Sequence, residues 1–224
     1  RDVAVTGVQT CALPIYRIPD VRRRSVIELA ERCNYHADHA QQVARLALAL
    51  FDQTRAIHGL TDREREWLEY AGLMHDLGVH ISYPRHHRHS YYLIKNGDLR
   101  GFHPDEIEAI ALIARYHRRG TPKRSHEGFT ALPAPLRRAV RGLASILRMA
   151  EGLDRSHAQV ISALEIRDRG DDVLLEIHTA GDAELELWAA VRHAKPFEAL
   201  LRKPLRVEVN TPTVAERQPR SEEH

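Results

Sequence analysis

The sequence predicts a mainly α fold, a helical domain followed by a small α+β appendage. Three observations carry this. Apolar residues recur at helical spacing from about Val26 to Leu153. Helix start and stop signals punctuate that stretch. After about Ala158 the period changes to strict alternation on either side of Gly170, the mark of a hairpin.

Taken in order, Ser25 is placed to cap a first helix carrying Val26, Ile27, Leu29 and Ala30. A second helix is predicted from about His36 to Thr54, burying Val43, Ala44, Leu46, Ala47, Leu50 and Phe51. Thr61 and Glu64 form a capping box that opens a third helix, running to Leu77 with Trp67, Leu68, Ala71 and Met74 inward. Gly78 is expected to close it in a left-handed cap. Residues 84–89 read as a His/Arg-rich loop, with a helix beginning at Ser90 and broken at Gly101. Pro104 opens the next helix. Residues 118–135, rich in Gly and Pro, read as a surface loop. A long helix from about Pro135 to Leu153 turns Val140, Leu143, Ile146, Leu147 and Ala150 to the core. Strands are expected at 163–168, 171–178 and 205–209, with one helix at 182–192 and a short one at 196–201.

Composition bounds the class. Of 224 residues, 43% are hydrophobic and 29% charged, as in soluble globular proteins. No apolar run approaches the roughly 20 residues of a membrane span. A net charge of +2 gives no global bias toward nucleic acid. Two cysteines are too few for a disulfide framework, which fits a cytoplasmic protein. The unusual count is 15 histidines. Residues 5–15, VTGVQTCALPI, and 220–224, RSEEH, resemble opposite-strand translations of one short-read sequencing adapter. Accordingly 1–15 is expected to be an artefact, 16–158 the helical domain and 159–210 the α+β part. Residues 211–224 are a tail whose last five residues are again artefact. Cys33 is then the native cysteine, and an upstream portion of the gene is expected to be missing.

The most specific chemical signal is MHDLG at 74–78, where His75 and Asp76 end an apolar helix together. An imidazole beside a carboxylate suits a hard-to-borderline divalent cation. Further donors follow the same order along the chain. His39 edges a core-facing stripe, His89 lies in RHHRHSYYLI, and His117 ends a helix in ARYHRR. Glu151 and Asp154 lie in RMAEGLDRS.

This ordered set resembles the HD superfamily of metal-dependent phosphohydrolases, so the helical part is read as an HD-type domain. The words RHHRHSYYLIKNGDLRGF, IARYHRRGTPK and ILRMAEGLDRSH narrow the resemblance. They are similar to the C-terminal domain of the exopolyphosphatase / guanosine pentaphosphate phosphatase family, over about 26–209. The resemblance implies that His39, His75, Asp76 and Glu151 hold one divalent cation (Mn, Fe, Mg or Zn). Asp76 would bridge to a second, bound with His89 and His117. Glu151 stands where the family's last acid is usually Asp, with Asp154 as an alternate on the same helix face, and His36 is an alternate beside His39. Arg118, Arg119, Lys123 and Arg124 are expected to clamp a phosphorylated polyanion, with Arg148 acting from inside the site. The substrate class implied is polyphosphate or a guanosine tetra- or pentaphosphate. Upstream actin-like domains and a homodimer are the implied partners. A non-catalytic polyphosphate-binding and dimerisation module is the alternative, and nucleic-acid binding the weakest reading.

Overall fold

A computed structural model describes residues 18–210, apart from Arg119, Arg124 and Ala180. The segments 1–15 and 220–224, and the residues Arg119 and Arg124, therefore lie outside the described residues. The elements follow in the order α1 (Ile18–Arg32), α2 (Ala37–His58), α3 (Asp62–Met74), a 3-10 turn (Leu77–His80), α4 (His86–Lys95) and α5 (Pro104–Arg115). Then come α6 (Glu127–Ala131), α7 (Ala134–Gly152), β1 (Ile161–Asp168), β2 (Val173–Thr179), α8 (Glu184–Leu201) and β3 (Leu205–Asn210). The fold is mainly α with a small α+β part at its end, as the periodicity predicts.

α7 is the central element. It packs against α2, α5 and α8, and nearly every side chain from Ala139 to Gly152 is buried. Hence its apolar face is wider than a surface helix requires. α2 and α3 pair beside it, and α1 covers α3. The strands form one sheet in the order β1-β2-β3, with β1 antiparallel and β3 parallel to β2. β1 lies against α2, and α8 is the crossover between the parallel pair. One hydrophobic cluster runs from Val26 through Trp67 and Ile146 to Ile161, Val173 and Leu175. The sheet is thus joined to the helices by shared core.

Local signals explain most boundaries. The Thr61 N–H donates to the Glu64 carboxylate at 2.9 Å and opens α3. Gly59, at φ 65°, closes α2 in the left-handed region. Four expectations are corrected. Ser25 is not a cap; it sits inside α1, bonding the Arg22 carbonyl and the Arg100 N–H. Gly78 is not a left-handed cap. It is required because an added Cβ would stand 2.0 Å from the His86 carbonyl oxygen. The segment read as a loop is the first turn of α4, held down by the Gly78 N–H donating to Ser90 Oγ at 2.9 Å. Finally, α8 runs unbroken through Pro196, with Ala190, Phe197 and Leu201 buried on either side. That packing outweighs the helical bond the proline removes.

Candidate metal centre

His75 and Asp76 follow the last residue of α3, where the chain tightens into the 3-10 turn. α2 brings His39, the start of α4 brings His86, and the end of α5 brings His117. All four imidazoles are buried. Each presents Nε2 to Asp76, at 3.1 Å from Oδ1 for His86, 3.4 Å for His117 and 3.7 Å for His75; His39 Nε2 stands 4.0 Å from Oδ2.

The other ring nitrogens explain why. Nδ1 of His75 is 2.7 Å from the Gly72 carbonyl, that of His86 3.0 Å from Tyr83, and that of His117 2.6 Å from Ala114. Nδ1 of His39 is 2.7 Å from Asp154 Oδ2. A carbonyl or carboxylate can only accept, so each Nδ1 carries the hydrogen and each neutral ring leaves a bare Nε2. Those bare nitrogens then meet in pairs, His39 with His75 at 3.2 Å and His86 with His117 at 3.3 Å. Two lone pairs at that distance repel unless a cation or a proton stands between them. Asp76 Oδ1, also buried, accepts no well-directed hydrogen bond.

The separations suit a metal ion. Ligands about 2.1 Å from a shared cation stand roughly 3–4 Å apart. The donors fall into two groups, His39–His75–Asp76 and Asp76–His86–His117, that share one carboxylate. Charge states fit as well. Burial pushes the Asp76 carboxyl up, but His75, His86 and His117 outweigh it and hold it well below the usual carboxylate range. Burial holds His75 below its ordinary value and His117 well below it. His86 is also desolvated, yet the neighbouring Asp76 raises it.

Support continues behind His39. Asp154, itself fully buried, accepts from the Gln159 N–H at 2.9 Å. His157 stacks on the His39 ring, with centroids 3.6 Å apart and planes 4° from parallel.

Several expectations need correction. His86, not His89, joins the donors. α4 begins four residues earlier than the polar run suggests, so His86, Ser90 and Ile94 are its buried positions. His89 sits three residues further along α4, half-buried, and stands outside both donor groups. Glu151 is buried but stands outside both groups, its carboxylate held by Arg155 at 2.8 Å. Asp154 orients His39 from behind. His36 is exposed at the start of α2. Arg148 does not point a free guanidinium at a substrate. It donates to the Tyr116 carbonyl at 3.2 and 2.7 Å and to the Gly120 carbonyl, pinning the loop that carries His117. Arg118 is half-buried over the Tyr83 ring, which neighbours His86, and Lys123 is exposed. His157 and Gln159 were not singled out from sequence, because a loop after a helix end has no period to betray which face it turns inward.

Residues 21–189 match the family model for Ppx/GppA phosphatase, domain III. The chain belongs to this family. Among curated relatives, it is 32% identical over 120 residues to a guanosine-5'-triphosphate,3'-diphosphate pyrophosphatase of Pseudoalteromonas translucida (strain TAC 125). That stretch is 50% of this chain and 23% of the relative, so the match spans less than a quarter of the relative's length. The chain is thus a phosphohydrolase-family domain. Among the described residues, no helix is long and apolar enough to cross a membrane.

Proposed function

We propose that this domain is a metal-dependent phosphohydrolase acting on phosphoanhydrides, with polyphosphate or a guanosine tetra- or pentaphosphate as substrate. His39, His75 and Asp76 hold one cation, and Asp76, His86 and His117 hold a second, drawn from Mn, Fe, Mg and Zn. The observation that carries this reading is the set of four imidazoles whose Nδ1 atoms are engaged and whose Nε2 atoms converge on Asp76. Three protein donors per ion leave coordination positions open, the pattern of catalytic rather than structural sites. A divalent cation so held neutralises phosphate oxygens and acidifies a water. The chain's own contribution is geometry. Asp154 fixes the His39 ring, Arg148 fixes the loop bearing His117, and Arg118 places positive charge beside the second group. The name of the guanosine pentaphosphate-cleaving relative supports the substrate class.

The test is phosphate release from guanosine pentaphosphate and from polyphosphate by the full chain, stripped with chelator and resupplied with each of the four metals. Release is expected only with a cation, and not from Asp76→Ala. Cation-independent release would overturn the reading. Metal-loaded protein that releases nothing would favour a second one, a polyphosphate-binding and dimerisation module. The observation on that side is the exposed apolar strip Leu185, Trp188 and Val191 on α8, which a second copy of the chain would cover. Sedimentation as a monomer would remove it.

A further inference from the structure

Glu186, in the first turn of α8, belongs to neither donor group, yet its side chain is buried, with the residue only 1% exposed. Among the described residues, no Lys, Arg or His is ion-paired with it. A buried carboxylate without a cationic partner is costly unless a hydrogen-bond donor reaches it. The donor here is the Ser156 N–H, 2.8 Å from Oε1. An acid in the first turn of a helix ordinarily offsets the helix dipole at the surface. Glu186 is buried and holds another segment of chain.

That segment, residues 154–159, leads from α7 toward β1, and its backbone is strained. His157 stands at φ 59° and Gln159 at φ 51°, in the left-handed region that favours glycine. Side chains of this size stay there only when surrounding contacts hold them. The His157 N–H donates to the Asp154 carbonyl at 3.0 Å, and the Gln159 side-chain amide donates to the His157 carbonyl at 2.6 Å. So held, the loop lays the His157 ring flat on the His39 ring, with centroids at van der Waals separation. His157 is exposed on its other side, so its backbone rather than a packed core sets the ring's position. Ser156, the residue before it, is the one that Glu186 grips.

We infer that Glu186 is a positioning residue of the metal centre. From α8 it anchors Ser156, and through Ser156 the ring that rests on His39. The α+β part thereby acts on the donor group containing His39 and not on the pair His86 and His117. The consequence for cations rests on the metal-dependent reading; the link from Glu186 to the His39 ring does not.

The experiment compares the full chain with Glu186→Ala, Glu186→Gln and His157→Gly. Chelator competition reads the cation affinities, imidazole NMR signals of the metal-free protein read the rings, and urea unfolding reads stability. Glu186→Ala should weaken the cation at the His39 group by about tenfold, the lower end of what a partner behind a metal ligand contributes. It should also shift the His39 and His157 ring signals and leave those of His86 and His117 in place. Glu186→Gln keeps an oxygen for the Ser156 N–H and should stay within about twofold of the parent. His157→Gly suits the left-handed backbone, so it should lose affinity at the His39 group with a urea midpoint near the parent's. Should Glu186→Ala fail to fold, the other two variants decide. Equal weakening at both groups would overturn the assignment. So would parent-like affinity in both Glu186→Ala and His157→Gly, or a loss in Glu186→Gln like that expected of Glu186→Ala. A parent that binds no cation would remove the metal-dependent reading, and the ring signals alone would then decide the link from Glu186 to His39.

Discussion

The two donor groups that share Asp76 are built differently. In the group with His86 and His117, each imidazole is oriented by a carbonyl three residues back in its own chain, Tyr83 for one and Ala114 for the other. His75, common in design, uses Gly72 in the same way. His39 has no such local anchor. Its Nδ1 depends on Asp154, 115 residues away, and Asp154 in turn on Gln159. One half of the centre is therefore assembled by short-range geometry at helix ends, and the other by docking the end of α7 onto α2. The difference teaches where the centre is vulnerable. Damage at the α7 end should reach the donor group containing His39 and spare the other.

The largest effect should break both halves together. Asp76→Ala removes the shared carboxylate and is expected to cut turnover by roughly 10²–10³-fold or more, as loss of one preorganised electrostatic group does. Phosphate-release assays check this. Asp154→Asn should separate the halves, weakening the His39-side cation by about 10–100-fold with the other unchanged; competition titration with a chelator reads both affinities. Equal weakening of the two sites would mean that the two groups are held in the same way. Gly78→Ala should act on the locally built half, since its Cβ would collide with the His86 carbonyl. The expected cost is at least the roughly 1–3 kcal/mol of an overpacked interior, seen by urea unfolding.

A smaller effect concerns pH in chelator. His75 and His117 titrate below their unfolded value near 6.5. As pH falls through that value, the unfolded chain takes up protons that the folded chain refuses. Their stabilisation is therefore complete above about 6.5 and lost as pH drops toward the folded values. His86 is shifted up, so its contribution is present below about 6.5 and lost as pH rises through its folded value. Burial also holds down His58, His87, His157 and His193, so against the one raised histidine the net is a loss between pH 7 and 5, read as a lower unfolding midpoint at pH 5. A midpoint that rises on acidification would contradict the neutral, buried assignment. The smallest effect should be His89→Ala, with metal affinity within about twofold of the parent because that ring stands outside both donor groups.

Much of this was readable in the sequence where one local rule governed. The capping box at Thr61 and Glu64, the turn at Gly170 and the apolar stripe of α7 each had a period or a punctuation mark. His75 and Asp76 stood out because an apolar helix ended on two metal-ligand types. The choice between His86 and His89 was not readable in the same way. RHHRH has no apolar stripe, and that turn of α4 is held by the Gly78–Ser90 bond, a tertiary contact. The role of Arg148 is hidden from the sequence for a related reason. An arginine near a phosphate site looks like a clamp until two loop carbonyls are found waiting for it. Pro196 signalled a break that burial of Phe197 overrode.

The measurement closest to the central claim is a count of cations bound per chain by native mass spectrometry, for the parent, His39→Ala and His86→Ala. The shared-carboxylate arrangement predicts two in the parent and one in each variant. Loss of both cations from His86→Ala, or of neither from both variants, would contradict it.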